Sequence, residues 1–265
     1  MKIAVLGAGG PTGVECVHAL MRAGHAAIAV VRDPAKYASP SPWPPGTEVR
    51  AGDVSVDLTA EAEVAKEATA TRLEQTALAG GVDGVVFAAA ASQAADVTAV
   101  DNLGVGAAAL AAMKLNARFV LISSRRVDPK DFWNFFRILL NTIRWGGMDA
   151  KFEGENAVRA LGADGQLEYV IVRPGALKGG ASVEKEESFA PGTKHVLAAP
   201  ARDPSGLLSG ARSIHRADVA SVVLRALEDP AAVGKTIEIV ARDRQPDDAA
   251  FEENLQGIFA HVEKD

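Results

Sequence analysis

A glycine-rich turn lies between the first apolar run of the chain and its first helical pattern. Residues 2–6 (Lys-Ile-Ala-Val-Leu) are typical of a short buried strand, and Gly7-Ala-Gly-Gly-Pro-Thr-Gly13 follows at once. Apolar residues then recur at helical spacing up to Gly24, a typical helix C-cap. A strand, a bare glycine turn and a helix in this order can bind a pyrophosphate through backbone N–H groups. The turn therefore predicts an α/β fold with a dinucleotide at its first strand–helix junction.

Three of the four glycines in this turn have distinct predicted roles. Gly7 permits the tight turn, Gly10 the close approach of phosphate, and Gly13 the packing of the helix on the strand. The spacing is G-x-x-G-x-x-G, and no Gly-Lys-Ser/Thr follows, so the turn is not a P-loop. The alternative is an ordinary glycine-rich turn without a ligand. The predicted phosphate-binding residues are Gly7, Gly9, Gly10, Pro11, Thr12 and Gly13.

Strand-like and helical patterns alternate along most of the chain. Strands are predicted at 26–31, 47–51, 84–88, 118–122, 169–172 and 236–240, and helices at 60–79, 101–115, 149–161 and 218–228. This alternation predicts a Rossmann-type, doubly wound parallel sheet within one domain spanning 1–243. Residues 174–215 are rich in Gly, Pro and Ser and predict a small irregular C-terminal lobe on the substrate side. Residues 244–265 predict a helical tail.

Composition excludes several other classes of protein. The single cysteine excludes a disulfide framework and a cysteine-based zinc site. With 28 basic and 34 acidic residues the net charge is −6, which argues against a nucleic-acid or anionic-membrane binder. No apolar run approaches the roughly 20 residues that span a bilayer. We see no targeting segment before the first strand, and so expect a soluble protein of the cytoplasm or of an organellar stroma.

The end of the second predicted strand bears on the choice of dinucleotide. There an acidic residue would bind the ribose 2′-hydroxyl of NAD, whereas an arginine would accommodate the 2′-phosphate of NADP. Arg32 comes first after the apolar run, Asp33 follows it, and Lys36 is close enough to assist a phosphate. We therefore predict NADP(H) rather than NAD(H). A solvated charge pair in a loop is the alternative.

Two further strand ends are predicted to line the cofactor. Asp53 follows the third strand in Gly52-Asp53-Val54, where its carboxylate can accept a hydrogen bond from the adenine amino group. Three small residues end the fourth strand, and they either lie beside the cofactor or only pack there: Ala88, Ala89 and Ala90.

Together these segments resemble the atypical short-chain dehydrogenase/reductase superfamily, in its NmrA-like NAD(P)-binding branch, which includes plastid proteins of plants and algae. The resemblance covers residues 2 to about 242. Besides the glycine turn it rests on 30–34 (Val-Val-Arg-Asp-Pro), 52–54 (Gly-Asp-Val), 120–124 (Val-Leu-Ile-Ser-Ser), 151–155 (Lys-Phe-Glu-Gly-Glu), 169–177 and 214–220. It implies a Rossmann sheet with a small C-terminal lobe, and it adds the plastid stroma (chloroplast) to the expected locations.

The resemblance also implies a catalytic arrangement that this chain has only in part. In better-known branches a Tyr-x-x-x-Lys pair follows a serine-bearing fifth strand. The phenol donates a proton, the lysine lowers its pKa and holds the ribose, and the serine orients the substrate. Lys151 aligns with the lysine, and Ser123 and Ser124 end the fifth strand, but Gly147 occupies the tyrosine position. The resemblance also puts Pro174 near the nicotinamide.

Two functions remain open at this point. One is an NADP-dependent oxidoreductase that reduces a small carbonyl or quinone-like acceptor, with Ser123, Ser124 or water as the proton donor. The other is a non-catalytic NADP(H) sensor or a subunit of a larger assembly, because some members of the branch also lack the tyrosine. Neither Tyr37, after the second strand, nor Tyr169, inside a strand, is placed to replace it.

Other features have structural as well as functional interpretations. The aromatic run at 131–146 can cover the active site, contact a protein partner or fill a core. The apolar stripe of the tail is more typical of helix packing than of a docking peptide. Asp218 is predicted to cap the helix 219–228 rather than to form an acid–base pair with His215. The histidines show no metal-ligand spacing.

Overall fold

The computed structural model of the chain describes residues 1–92, 96–129, 138, 142, 146–182, 185–187, 191–201, 208 and 213–265. Its strands are β1 Lys2–Leu6, β2 Ala26–Val31, β3 Glu48–Ala51, β4 Gly84–Phe87, β5 Arg118–Ile122, β6 Tyr169–Pro174, β7 Ala176–Lys178, β8 Gly180–Ser182, β9 Lys185–Glu187, β10 His195–Pro200, β11 Ser213–His215 and β12 Lys235–Arg242. Its α-helices are α1 Pro11–Arg22, α2 Ala62–Gln75, α3 Leu103–Lys114, α4 Gly147–Gly162, α5 Arg216–Glu228 and α6 Phe251–Gln256. A 3₁₀-helix spans Pro34–Tyr37, and a π-helical turn at Thr98–Asn102 precedes α3.

These elements form the Rossmann-type α/β fold that the sequence predicts. The main sheet has the order β3-β2-β1-β4-β5-β6-β12, and all neighbours in this stretch are parallel. The strand order reverses between β1 and β4. At such a reversal the loops on either side separate and leave a crevice beyond the carboxyl ends of the strands, which is where α/β sheets bind ligands.

Alternate residues of β1 belong to the two halves of the core. Ile3 and Val5 lie in the cluster that α1 and α5 cover, and Ala4 and Leu6 lie in the cluster that α2 and α3 cover. All four side chains are fully buried. A parallel strand covered on both faces needs apolar residues at every position, which explains why a continuous apolar run predicted it.

The segment predicted as an irregular lobe contains more regular structure than expected. Strand β10 pairs antiparallel with β12, from His195 opposite Arg242 to Pro200 opposite Ile237. Strands β7 and β11 extend the main sheet, and β8 pairs with β9 in a small separate sheet. Apart from β8 and β9, which are neighbours along the chain, these short strands pair with partners that lie far away in the sequence. Local patterns do not reveal them, because their stability comes from pairing rather than from intrinsic preference.

The tail packs on the core of the same domain. Its α-helix, α6, is only six residues long, shorter than the predicted helical tail. Leu255, Ile258 and Phe259 are nevertheless buried in the cluster that contains α1 and α5. Farther along, Asp265 accepts hydrogen bonds from the backbone N–H of Thr236 and from other groups. The buried residues of the apolar stripe thus serve internal packing, which is the interpretation that the sequence favours.

We expect Phe259→Ala to lower the free energy of unfolding by about 3–5 kcal/mol, the usual cost of emptying a buried aromatic site. Phe259 is fully buried, so its removal leaves a cavity against α5. Urea unfolding followed by circular dichroism would measure the change. Glu252→Ala, at an exposed position of α6, is the control and should shift stability by less than about 0.5 kcal/mol. A loss below about 1 kcal/mol in Phe259→Ala would contradict a structural role for the tail.

Candidate functional site

Several of the predicted site residues lie in a row along the carboxyl edge of the main sheet. Each follows or ends a strand, and neighbouring strands bring them together in the order of the sheet. From one side to the other these residues are Asp53 after β3, Arg32 after β2, Gly7 after β1, Ala88–Ala90 after β4, Ser123 and Ser124 after β5, and Pro174 at the end of β6.

The glycine turn combines two close backbone contacts with one open position. Gly7 has a φ of +82°, and a Cβ there would lie 2.6 Å from the backbone of Ala89. A Cβ on Gly13 would lie 2.3 Å from the carbonyl oxygen of Gly7. At Gly10 the nearest atom to a Cβ is that same oxygen, at 3.4 Å. Gly7 and Gly13 therefore serve packing, whereas Gly10 borders a space that only a side chain or a ligand would fill.

The start of α1 leaves backbone donors for a ligand. Gly10 is the N-cap and provides no side chain to bind the first N–H groups. Pro11 is the first helical residue, where an N–H is not needed. A helix N-terminus with uncapped N–H groups beside an open cradle fits the pyrophosphate of a dinucleotide.

The charged side chains that follow β2 differ in their contacts. The Asp33 carboxylate accepts a hydrogen bond from the N–H of Ala35 at 3.0 Å and caps the 3₁₀-helix. Arg32 is exposed and makes no hydrogen bond or ion pair within the described part of the chain. Lys36 is also exposed, with its ammonium 5.9 Å from the ring centroid of Tyr37. The acid is held by the backbone, and the two cations face solvent.

The ends of β3 and β4 present smaller groups. Asp53 is half-buried, and its Oδ1 accepts a hydrogen bond from the N–H of Ser55 at 2.9 Å. The Val54 side chain is buried in the core, so only its backbone is available to a cofactor. The segment after β4 becomes progressively more exposed, from the half-buried Ala88 and Ala89 to the exposed Ala90.

A polar cluster lies at the ends of β4 and β5. The Ser123 hydroxyl is buried and has no hydrogen-bond partner among the described residues. The Lys151 ammonium lies 2.7 Å from Oδ1 of Asp101, and the other carboxylate oxygen accepts a hydrogen bond from the N–H of Ala91 at 3.2 Å. One small recess is lined by Phe87, Asp101, Val105, Leu121, Ile122, Ser123 and Lys151. A hydroxyl, an ammonium and a carboxylate therefore converge there. Ser124 lies outside this lining, and its hydroxyl donates to the backbone oxygen of Arg125.

Asp101 is the site residue that the sequence analysis missed. It lies in the π-helical turn before α3 and is only 4% exposed. The approach of α4 places Lys151 beside it, because a Cβ on Gly154 would lie 2.5 Å from the backbone oxygen of Asp101. The available signal was an acidic residue within an otherwise apolar helical pattern, and π-helical turns are frequent at functional sites.

A buried ion pair holds α4 against β6. The Arg173 guanidinium is 1% exposed, and its Nε donates to Oε1 of Glu155 at 3.0 Å. Glu155 lies four residues after Lys151 on α4, and Arg173 precedes Pro174 in β6. Removing one partner of such a pair would leave an uncompensated buried charge. Arg173 is therefore a brace for the helix that carries Lys151.

Neither Tyr37 nor Tyr169 makes a hydrogen bond with Lys151 in the described part of the chain. Gly147 is the first residue of α4, and Gly146 before it has a φ of +83°. The Tyr169 hydroxyl donates to Oδ2 of Asp265 at 3.2 Å, at the start of β6 and thus at the opposite edge of the sheet. Burial and the Asp265 carboxylate raise the pKa of Tyr169 to about 12. The Tyr37 side chain lies against the glycine turn.

The remaining candidates have structural contacts. The prediction that Asp218 is an N-cap is wrong, because α5 already begins at Arg216. Instead, Oδ1 of Asp218 accepts a hydrogen bond from the N–H of Gly192 at 2.8 Å, and burial raises the pKa of this carboxyl. Burial also raises the pKa of the Cys16 thiol to about 12, as expected of a core residue.

The predicted aromatic run at 131–146 lies mostly outside the residues that the structure describes. The five aromatic residues of this run all belong to the part that is not described: Phe132, Trp133, Phe135, Phe136 and Trp145.

Within the ranges that the structure describes, no group of three or more His, Cys, Asp or Glu side chains could hold a metal ion. No helix in those ranges is long and apolar enough to cross a membrane.

The fold, the glycine cradle and the uncapped helix N-terminus define a Rossmann-type dinucleotide-binding protein. The sequence profile of the NAD(P)H-binding family matches residues 7–230, and the chain belongs to that family. Membership implies a nicotinamide dinucleotide cofactor. The chain is also 28% identical to an uncharacterized chloroplastic protein of Arabidopsis thaliana, over 264 residues that cover 98% of this chain and 82% of the relative.

Solved structures share this fold at low sequence identity. The oxidoreductase YlbE of Lactococcus lactis superposes with a TM-score of 0.71 at 19% identity, over 100% of both chains. The anaerobillin reductase ChuY of Escherichia coli superposes with a TM-score of 0.61 at 20% identity, over 93% of this chain and 100% of its own. Both similarities support the fold assignment.

The glycine turn offers a matched pair of substitutions. We expect Gly10→Val to abolish dinucleotide binding and to leave the melting temperature nearly unchanged, because the new side chain enters the cradle and not the core. Gly13→Ala should instead lower the melting temperature, because its Cβ overlaps backbone atoms. Calorimetric titration with NADPH and thermal melts would separate the two effects. Undiminished binding by a folded Gly10→Val protein would show that the cofactor lies elsewhere.

Proposed function

We propose that this protein is an NADP(H)-dependent reductase of the atypical short-chain dehydrogenase/reductase type, from the NmrA-like branch. Its acceptor is a small carbonyl or quinone-like molecule that takes a hydride. The observation that carries the proposal is the recess in which Ser123 and Lys151 converge, at the same sheet edge as the glycine turn. The similarity to a chloroplastic relative supports the plastid stroma as its location.

The contacts after β2 support NADP(H) over NAD(H). Oδ1 of Asp33 accepts the N–H of Ala35 and caps the 3₁₀-helix, and this single acidic residue is flanked in the sequence by two exposed cations, Arg32 and Lys36. The Arg32 guanidinium has no such engagement and can form charge-assisted hydrogen bonds with a 2′-phosphate. Lys36 adds a second positive charge nearby. The balance of available groups at this strand end is therefore cationic.

The hydrogen-bond donors that line the recess suit hydride transfer to an oxygen-bearing acceptor. A bound dinucleotide would supply the hydride, and negative charge would then develop on the acceptor oxygen. The Ser123 hydroxyl is free to donate a hydrogen bond to that oxygen. Lys151 uses one ammonium proton on Asp101, which leaves two donors for the ribose hydroxyls. Ser123 or water then provides the proton that the tyrosine provides in related enzymes.

A second function is favoured by the absence of that tyrosine. Gly147 has no proton donor to offer, and the loss of a positioned acid typically costs about 10²–10⁴-fold in rate. A protein that binds NADP(H) tightly and turns over slowly suits a sensor of the NADP(H) pool or a subunit of a larger assembly. Kinetic measurements distinguish the two functions.

The first test is the choice of dinucleotide. We expect the wild type to bind NADPH about 10–100-fold more tightly than NADH, and Arg32→Ala to lose most of this preference. The reason is the lost charge-assisted contact with the 2′-phosphate. Nucleotide fluorescence titrations give both dissociation constants. Arg22→Ala, an exposed arginine at the end of α1, is the control and should keep the preference. Equal affinities in the wild type would refute the NADP(H) assignment.

The second test is turnover. We expect slow steady-state oxidation of NADPH with a panel of aldehydes, ketones and quinones, and a further loss of at least about tenfold in Lys151→Ala and Ser123→Ala. Lys66→Ala, at a half-buried position of α2 where the ammonium pairs with Glu63, is the lysine control and should match the wild type in turnover. Flat traces from a wild type that binds NADPH tightly would contradict the reductase and favour the sensor or subunit.

A further inference from the structure

The chain between β2 and β3 folds back over the glycine turn. Trp43, in the proline-rich stretch, is only 4% exposed, and its indole N–H donates to the carbonyl oxygen of Ala8 at 3.2 Å. A ring nitrogen of His18 on α1 lies 2.8 Å from the carbonyl oxygen of Pro42. This loop is therefore anchored to the turn and to α1 at two points.

Tyr37 lies on this anchored loop with its hydroxyl at the middle of the turn. Its ring centroid is 5.1 Å from that of Trp43, with the planes tilted by 39°. A Cβ built on Gly9 would lie 2.1 Å from the Tyr37 oxygen. Gly9 therefore lacks a side chain because the Tyr37 phenol occupies that space, whereas Gly10 borders an open space.

The Tyr37 hydroxyl has no hydrogen-bond partner within the described ranges of the chain. The side chain is half-buried and packs against the core cluster of α1. A phenol that is partly removed from water is normally satisfied by a partner. Here its oxygen adjoins the turn whose N–H groups are open to a pyrophosphate, and the cationic Lys36 lies against the same ring. Each of these groups suits an anion.

We propose that Tyr37 is a cofactor-binding residue whose hydroxyl donates a hydrogen bond to a phosphate oxygen of the dinucleotide. Trp43 is a positioning residue, because its indole links the Tyr37 ring to the backbone of Ala8. This inference rests on the proposed function only in requiring that a dinucleotide binds at the glycine turn. It does not depend on Arg32, on the choice of NADP(H) or on turnover.

The decisive variant is Tyr37→Phe, which keeps the ring on Trp43 and removes only the hydroxyl. We expect the dissociation constant of NADPH to rise about 10–100-fold, the usual effect of losing a hydrogen bond to a charged group. The melting temperature without ligand should stay close to that of the wild type. Tyr169→Phe is the matched control, because it removes the other phenol of the chain and should leave NADPH affinity unchanged.

Comparing NADPH with NADH identifies the phosphate. An equal loss of affinity for both dinucleotides assigns the hydrogen bond to the pyrophosphate, and a loss confined to NADPH assigns it to the 2′-phosphate. Unchanged or tighter binding by Tyr37→Phe would overturn the proposal. Tighter binding would mean that the hydroxyl only occupies the site and has to move when the dinucleotide binds. A wild type that binds neither dinucleotide would overturn both proposals. Equal NADPH and NADH affinities with a clear effect of Tyr37→Phe would overturn NADP(H) selectivity alone.

Trp43 is tested by coupling. We expect Trp43→Phe to weaken NADPH binding in the same direction, and the double variant with Tyr37→Phe to lose no more than Tyr37→Phe alone. Such non-additivity shows that Trp43 acts through the hydroxyl, which a purely structural role would not produce. Additive losses, or a fall in melting temperature with unchanged affinity, would remove Trp43 from the proposal.

Discussion

The close approach of three backbone segments at the glycine turn is the constraint on which the rest of the site depends. A side chain at Gly7 would collide with Ala89, and one at Gly13 would collide with Gly7 itself. Their absence lets α1 start directly at the carboxyl end of β1, beside β4. This places uncapped N–H groups at the point where the strand order reverses, so that a ligand can meet backbone donors without a side chain between them.

Buried charges organise the opposite half of the site. Lys151 pairs with Asp101, and four residues farther along the same helix Glu155 pairs with Arg173. One pair ties α4 to the turn before α3, and the other ties it to β6. Buried pairs of this kind bring specificity of position rather than large stability, because the charges must first lose their water. The result is a fixed ammonium in the same recess as the Ser123 hydroxyl, which has no hydrogen-bond partner among the described residues.

The two halves of the site were not equally predictable. The glycine turn is a local strand–turn–helix segment, so seven consecutive residues, from Gly7 to Gly13, predict both its geometry and its proposed role in phosphate binding. The recess depends on contacts across long stretches of sequence. Lys151 and Ser123 could be aligned by family resemblance, but Asp101 could not, because its inward position follows from a π-helical turn and from the close packing of Gly154. Tyr37 was noted only as a poor catalytic substitute, although it lies on the glycine turn.

The sequence by itself determined the parallel part of the sheet, its helices and the glycine turn at the sheet edge, because parallel strands buried on both faces and glycines at tight turns leave strong local patterns. The tertiary structure alone decided three things. It paired β10 with β12, it set the tail against the cluster of α1 and α5, and it brought Asp101 to Lys151. In each case the partner is chosen by three-dimensional proximity or by backbone geometry, and side-chain type alone does not encode that choice.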